Sequence, residues 1–246
     1  TPLLPKAEPV GPTAPPAAPA PANPADLAPD FELESTFQKA AEGWPDLDAH
    51  VVVFDLAGLR RAEFTTGARI YPGSVVKLAL VATVLEQFGN RELQPNRVVQ
   101  LQAAPGQRRG DASVNVSELL RRTAREGDHM ATNALLDLVG TDAVASTIET
   151  LELSSTAFER GFSRPARGAP PNRMAPADAA RILYRMALDD LPGVGAASAM
   201  RALLARSLGD ERLRIIPRYF PGTELMGWSA DARMEDGLEV RNDVAY

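Results

Sequence analysis

The stretch SVVKLALVATVLEQF, residues 74–88, constrains the fold most. It is far longer than the ~5–6 residues of an ordinary strand and shorter than the ~20 apolar residues that cross a bilayer. Its apolar side chains leave no polar stripe, so it is predicted to be a helix buried nearly all round. Pro72-Gly73 precede it, Ser74 stands where an N-cap belongs and Gly89 closes it. A chain built around such a helix needs further layers to cover every side of it.

One residue in that run does not belong to a greasy core. The 246-residue chain has 26 Lys plus Arg, yet Lys occurs only at Lys6, Lys39 and Lys77. On a solvated face Arg would serve as well, but a guanidinium does not release its proton in a protein, whereas a desolvated ammonium does so readily. Residues three apart share a helix face, so Ser74 and Lys77 can approach within hydrogen-bonding reach. A neutral Lys beside a Ser is a known substitute for the Ser-His-Asp arrangement, the amine accepting the hydroxyl proton. Set against this, Ser-x-x-Lys is short enough to arise by chance, and Ser is an ordinary cap.

Composition narrows the alternatives. A net charge of -6 and only short basic pairs such as Arg108-Arg109 argue against a nucleic-acid partner. With no Cys and only His50 and His129, thiol chemistry, disulfides and a His or Cys metal site are not expected, and no cofactor is implied. The opening 29 residues hold ten of the 21 prolines, interleaved with Ala, and are predicted to be an extended, disordered linker ahead of a domain over residues 30–246. Such a segment points to an envelope or membrane tether for a domain exported to the cell envelope or periplasm, although a cytoplasmic interdomain linker has the same composition. The start at Thr1 fits a removed signal peptide or a trimmed chain.

Along the domain, FELESTFQKAAEGW predicts a first helix, and AHVVVFDLAG with RRAEFTTGARIY a hairpin of strands. After the apolar helix come VNVSELLRRTAREG, DHMATNALLDLVG and TDAVASTIETLEL, all helical in pattern. Residues 156–175 carry Gly and Pro without periodicity and are predicted to be a functional loop. Two more helices follow, the first opening on Pro176, and ELMGWSA with LEVRNDVAY close the chain as strands about a turn at Asp236-Gly237. Strands at both ends enclosing helices predict an α/β fold: a mostly antiparallel sheet built from both chain ends, helices on its faces, and an inserted helical lobe.

The order YPGSVVKL, then REGDHMATNALL about fifty residues later, then a loop and a terminal hairpin, resembles the class A β-lactamase and penicillin-binding serine hydrolase family. That family carries Ser-x-x-Lys, Ser-Asp-Asn and Lys-Thr-Gly. The resemblance spans about residues 31–246 and implies a β-lactamase-like fold, Ser74 as nucleophile, Lys77 as base, and an oxyanion hole from the backbone N–H groups of Ser74 and Trp228. It puts Gly127-Asp128-His129 in the Ser-Asp-Asn place, with Asn133 as the later Asn. Gly127 lacks the hydroxyl that relays a proton, and His129 stands where an Asn would contact substrate. His129 is then a substrate contact or proton source, or a surface histidine. Thr156-Ala-Phe-Glu159-Arg160 resembles the start of the omega loop, where Glu159 and Arg160 are expected to pair structurally, Glu159 being otherwise open to recruitment as a base. The same register puts Phe162 where the deacylating Glu belongs. Leu225-Met226-Gly227 takes the Lys-Thr-Gly place without its Lys, leaving Arg241 as the resemblance's candidate for the substrate carboxylate, or else as a solvated strand residue. The family continues with a further central strand and a terminal helix, so a truncated chain, or a genuine shortened variant, is expected.

These residues allow three readings. The first is a serine acyl-transfer hydrolase acting as a monomer on a small-molecule β-lactam or a peptidoglycan stem peptide ending in a D-Ala-D-Ala-like amide. The second is a catalytically degenerate relative that binds cell-wall peptide or a protein partner. The third is a D,D-peptidase-like enzyme that acylates but deacylates slowly, because Phe162 cannot activate water and one positioned general base is worth ~10²–10⁴-fold.

Overall fold

The computed structural model describes residues 19–44, 48–65, 71–101, 112–162, 170–205, 227–233 and 239–245. The apolar run folds as a 3₁₀ turn, Gly73–Val76, leading into helix α2, Lys77–Gly89, in which every residue from Lys77 to Leu85 is buried. Helices α4 (His129–Val139), α5 (Thr141–Thr150), α6 (Pro176–Ala187) and α7 (Ala196–Leu204) pack around it. Leu78, Leu80, Leu119, Leu135, Ile182 and Met200 are fully closed off between them, each such side chain worth ~1.5–3 kcal/mol of burial. The α2 end is pinned by close backbone approach: a Cβ on Gly89 would sit 2.6 Å from the carbonyl carbon of Gly193. Ser74 is not the N-cap expected of it. It lies inside the 3₁₀ turn and makes no side-chain cap, because the helix is already continued backward by the turn's own hydrogen bonds.

Strands β2 (His50–Asp55) and β3 (Arg60–Thr65) form the expected hairpin, with helix α1 (Phe31–Glu42) alongside β3. At the other end β6 (Gly227–Arg233) and β7 (Glu239–Ala245) pair antiparallel. Among the described residues these are separate ladders, each zipped between sequence neighbours, and α6 touches both β2 and β7. An unforeseen ribbon, β4 (Val98–Leu101) with β5 (Ala112–Asn115), precedes α3 (Val116–Arg121). A π-helical turn, Arg122–Glu126, then joins α3 to the left-handed Gly127 at φ +67°.

The boundary expected at residue 29 lies earlier. Pro24–Asp26 form a 3₁₀ turn capped by Asn23, Leu27 is buried, and Ala28–Pro29 (β1) pair parallel with β3. The Tyr184 hydroxyl donates to the Pro21 carbonyl at 2.5 Å while its ring stacks edge-on with Phe54. Proline is tolerated in β1 because an edge strand can spare an N–H. The earlier part of the linker, residues 1–18, lies outside the described residues.

Candidate active site

Ser74 is partly exposed on its 3₁₀ turn, and Lys77 begins the buried helix that follows; the Lys77 backbone N–H donates to the Ser74 carbonyl. The Lys77 side chain is fully buried. Its amine donates to the Gly127 carbonyl at 2.7 Å and lies 4.5 Å from the centroid of the Phe162 ring. Among the described residues no hydrogen bond joins it to the Ser74 hydroxyl. The expected contact is replaced because a buried ammonium takes the strongest neutral acceptor within reach, and Gly127, with left-handed backbone, presents its carbonyl to it. Burial lowers the Lys77 pKa to about 8, and the Asp128 carboxylate opposes that fall.

The second element meets the first at this amine. Asp128 caps α4, accepting from Met130 N–H at 2.8 Å and Ala131 N–H at 3.1 Å, and Arg122 pairs with its other oxygen. Burial raises the Asp128 pKa, but the Ala131 N–H and the Arg122 guanidinium outweigh it and hold the carboxyl below its ordinary value. His129 stands exposed on the first turn of α4, its ring 5.0 Å from that of Phe162. Desolvation and the nearby Lys77 charge lower its pKa against the pull of Asp128, favouring a neutral imidazole. Gly127 carries no side chain, and a Cβ there would meet nothing within 4 Å, so the hydroxyl's place is open space.

The omega-like loop is held at its neck by backbone pairing and side-chain hydrogen bonds. Ala157 and Arg173 form an antiparallel bridge at its neck, and Asp178 near the start of α6 accepts from Ser155 N–H and Thr156 Oγ1. Asn172 accepts from the N–H groups of Glu159 and Arg160 and donates to the Arg160 carbonyl. No ion pair joins Glu159 to Arg160 among the described residues. The Asn172 side-chain amide ties their backbone instead, and Glu159 points out exposed. Asn133 clasps Phe162 twice: its Nδ2 donates to the Phe162 carbonyl and its Oδ1 accepts from the Phe162 N–H, both at 2.8 Å. The register expected from sequence thus delivers a phenyl ring over Lys77. Sequence reading passed over Asn172; its position directly after Pro170-Pro171, where a turn amide can close a loop, was the available signal.

Strands β6 and β7 lie alongside the Ser74 turn, with Gly227 and Trp228 opening β6. The hairpin register sets Gly227 opposite Ala245 and Arg241 opposite Asp231. Arg241 is therefore four positions along the ladder from the one facing Gly227, roughly 13 Å at ~3.4 Å per residue. Leu225 lies outside the described residues, and among those described no cluster of His, Asp or Glu could hold a metal ion.

The sequence model of the beta-lactamase enzyme family matches residues 32–246. No curated protein sequence matches the chain. Among solved structures the chain is similar to the β-lactamase from Sphaerobacter thermophilus DSM 20745, with TM-score 0.70 and 25% identity over 88% of this chain and 83% of that one. It shares its fold with a mutant of PBP-A seen as an acyl-enzyme complex with penicillin-G, at TM-score 0.67 and 15% identity over 89% and 87% of the two chains. A β-lactamase from Xanthomonas campestris pv. campestris is similar at TM-score 0.68 and 20% identity, over 87% and 82%. The fold, the buried lysine behind a partly exposed serine, and a family match covering all but the first 31 residues agree, and the chain belongs to the beta-lactamase enzyme family.

Proposed function

We propose that the protein is a serine acyl-transfer hydrolase that opens a β-lactam or a D-Ala-D-Ala-like amide through a slowly hydrolysed acyl-enzyme. The supporting observation is the Lys77 amine, fully buried and shifted to about 8, one short turn from a partly exposed Ser74. In this reading neutral Lys77 takes the Ser74 hydroxyl proton as Oγ bonds the carbonyl carbon. The carbonyl oxygen draws charge toward the N–H groups of Ser74 and Trp228. Collapse breaks the C–N bond, and the proton passes from the lysine ammonium to the departing nitrogen. Gly127 offers no hydroxyl to carry that proton, so its route runs through water or substrate. Slow release of the acyl group follows from Phe162, an apolar ring where a water-activating carboxylate is needed. Cell-wall amide chemistry carries with it an exported setting, with the Pro/Ala-rich segment as tether.

Intact-protein mass spectrometry with benzylpenicillin tests this. The expected result is one persistent adduct on the native protein and none on Ser74→Ala. In Phe162→Glu the adduct should form and then decay faster by ~10²-fold or more, as expected for a restored general base. An adduct retained in Ser74→Ala, or none on the native protein, overturns the proposal. The latter result favours a second reading, a binder of cell-wall peptide without chemistry, for which the supporting observation is that Lys77 is engaged by Gly127 and not by Ser74.

A further inference from the structure

Four contacts meet at Phe162. Asn133 grips its backbone on both sides, the buried Phe158 ring stands edge-on behind it at 6.0 Å, His129 stacks against it, and the Lys77 amine lies over it at 4.5 Å. The amine's hydrogen bond runs to a backbone carbonyl, and among the described residues the carboxylate that acts on it, Asp128, spends its oxygens on Arg122 and two backbone N–H groups. A fully buried ammonium thus faces an aromatic ring where an acid would ordinarily compensate it.

We infer that Phe162 is a positioning residue for Lys77: its ring, locked by Asn133, is the counter-group of the buried amine and sets how readily that amine gives up its proton. The inference deepens the proposed function, since it matters to acylation only if Lys77 is the base. The negative face of a phenyl ring favours the ammonium over the free amine, whereas the apolar walls favour the free amine. The ring therefore keeps the amine from being driven wholly neutral, at the cost of delaying its use as a base. Among the described residues the titratable and charged groups facing the amine are Asp128, backed by Arg122 from the π turn, and His129 from α4. Of these only His129 touches the Phe162 ring; Asp128 and Arg122 are engaged with each other and with the start of α4.

Weakening the ring's negative face removes support from the ammonium alone, so Lys77 should lose its proton at lower pH. The cleanest change is replacement of Phe162 by 3,4,5-trifluorophenylalanine, which keeps shape and burial while draining charge from the ring. Because the chain has three lysines, a sample labelled with ¹³Cε-lysine yields three side-chain signals, and Lys77→Met identifies the buried one. The expected result is a fall of about 0.5–1.5 pH units in the Lys77 midpoint on fluorination, the size of a desolvated cation–ring contact, with Phe162→Tyr staying at the native value. The acid limb of benzylpenicillin acylation should move by the same amount. An unmoved midpoint in the fluorinated protein overturns the inference, as does an equal fall in Phe162→Tyr. If no protein is acylated, the hydrolase reading fails while the lysine titration still decides this one.

Discussion

At neutral pH an amine that titrates near 8 is still mostly an ammonium, held in a place where an unfolded chain would never put it. The unfolded lysine keeps its proton up to its ordinary value of 10.5, the folded one only to about 8. Between those values the unfolded state binds the extra proton, so stability rises with pH across that window; below pH 8 both states are protonated and the penalty is complete. It amounts to about 3 kcal/mol. Lys77→Met should therefore raise stability by about 1–2 kcal/mol at pH 7, after loss of the bond to Gly127, with a smaller gain at pH 10. Urea denaturation at the two pH values checks this, and a variant less stable than the native protein at pH 7 would contradict it. The price of that strain is availability: acylation should climb tenfold per pH unit and level off near pH 8. At this scale the sequence was informative where residue types clash, as with a Lys in an Arg-rich chain. It was silent on Lys77 choosing Gly127 over Ser74, because the choice depends on a carbonyl fifty residues away that only the left-handed Gly127 backbone aims inward.

Among the elements, α2 was the most readable, since fifteen mostly apolar residues with turn signals before them and Gly after admit one solution. Its start was not. A Ser before an apolar run suggests a cap, and only the structure reveals the 3₁₀ turn that draws Ser74 inside the helical path. The β4–β5 ribbon escaped notice because four-residue strands give two turns of alternation at most, too little to stand out between helices. The α2 end gives a direct test. Gly89→Ala would drive a methyl into the Gly193–Val194 backbone, which cannot yield as a flexible side chain could. A loss of about 1–3 kcal/mol is expected, seen as a melting temperature lower by several degrees, and an unchanged melt would show that the contact is slack.

For the molecule as a whole, the hydrophobic pattern foretold a helical core flanked by strands from both chain ends, and the family match agrees. The N-terminal strap was hidden because ten prolines and many alanines mask the few residues that dock: Asn23, Pro24 and Leu27. A chain beginning at residue 30 should be less stable than one beginning at residue 19 by about 2–4 kcal/mol, the value of one buried Leu, a few backbone bonds and the Tyr184 latch. Matching urea midpoints for the two chains would show that the strap rests on the surface without holding it. The strap also determines how the domain would answer a mechanical pull. Tension on the chain ahead of it enters through Pro21 against Tyr184 and through the N–H groups of Ala28 and Asp30 against the carbonyls of Leu59 and Arg61, in the β1–β3–β2 sheet and not in the β6–β7 ladder beside Ser74. A tug strong enough to peel those bonds frees several residues of chain before it loads β3 itself, so the seam acts as a fuse.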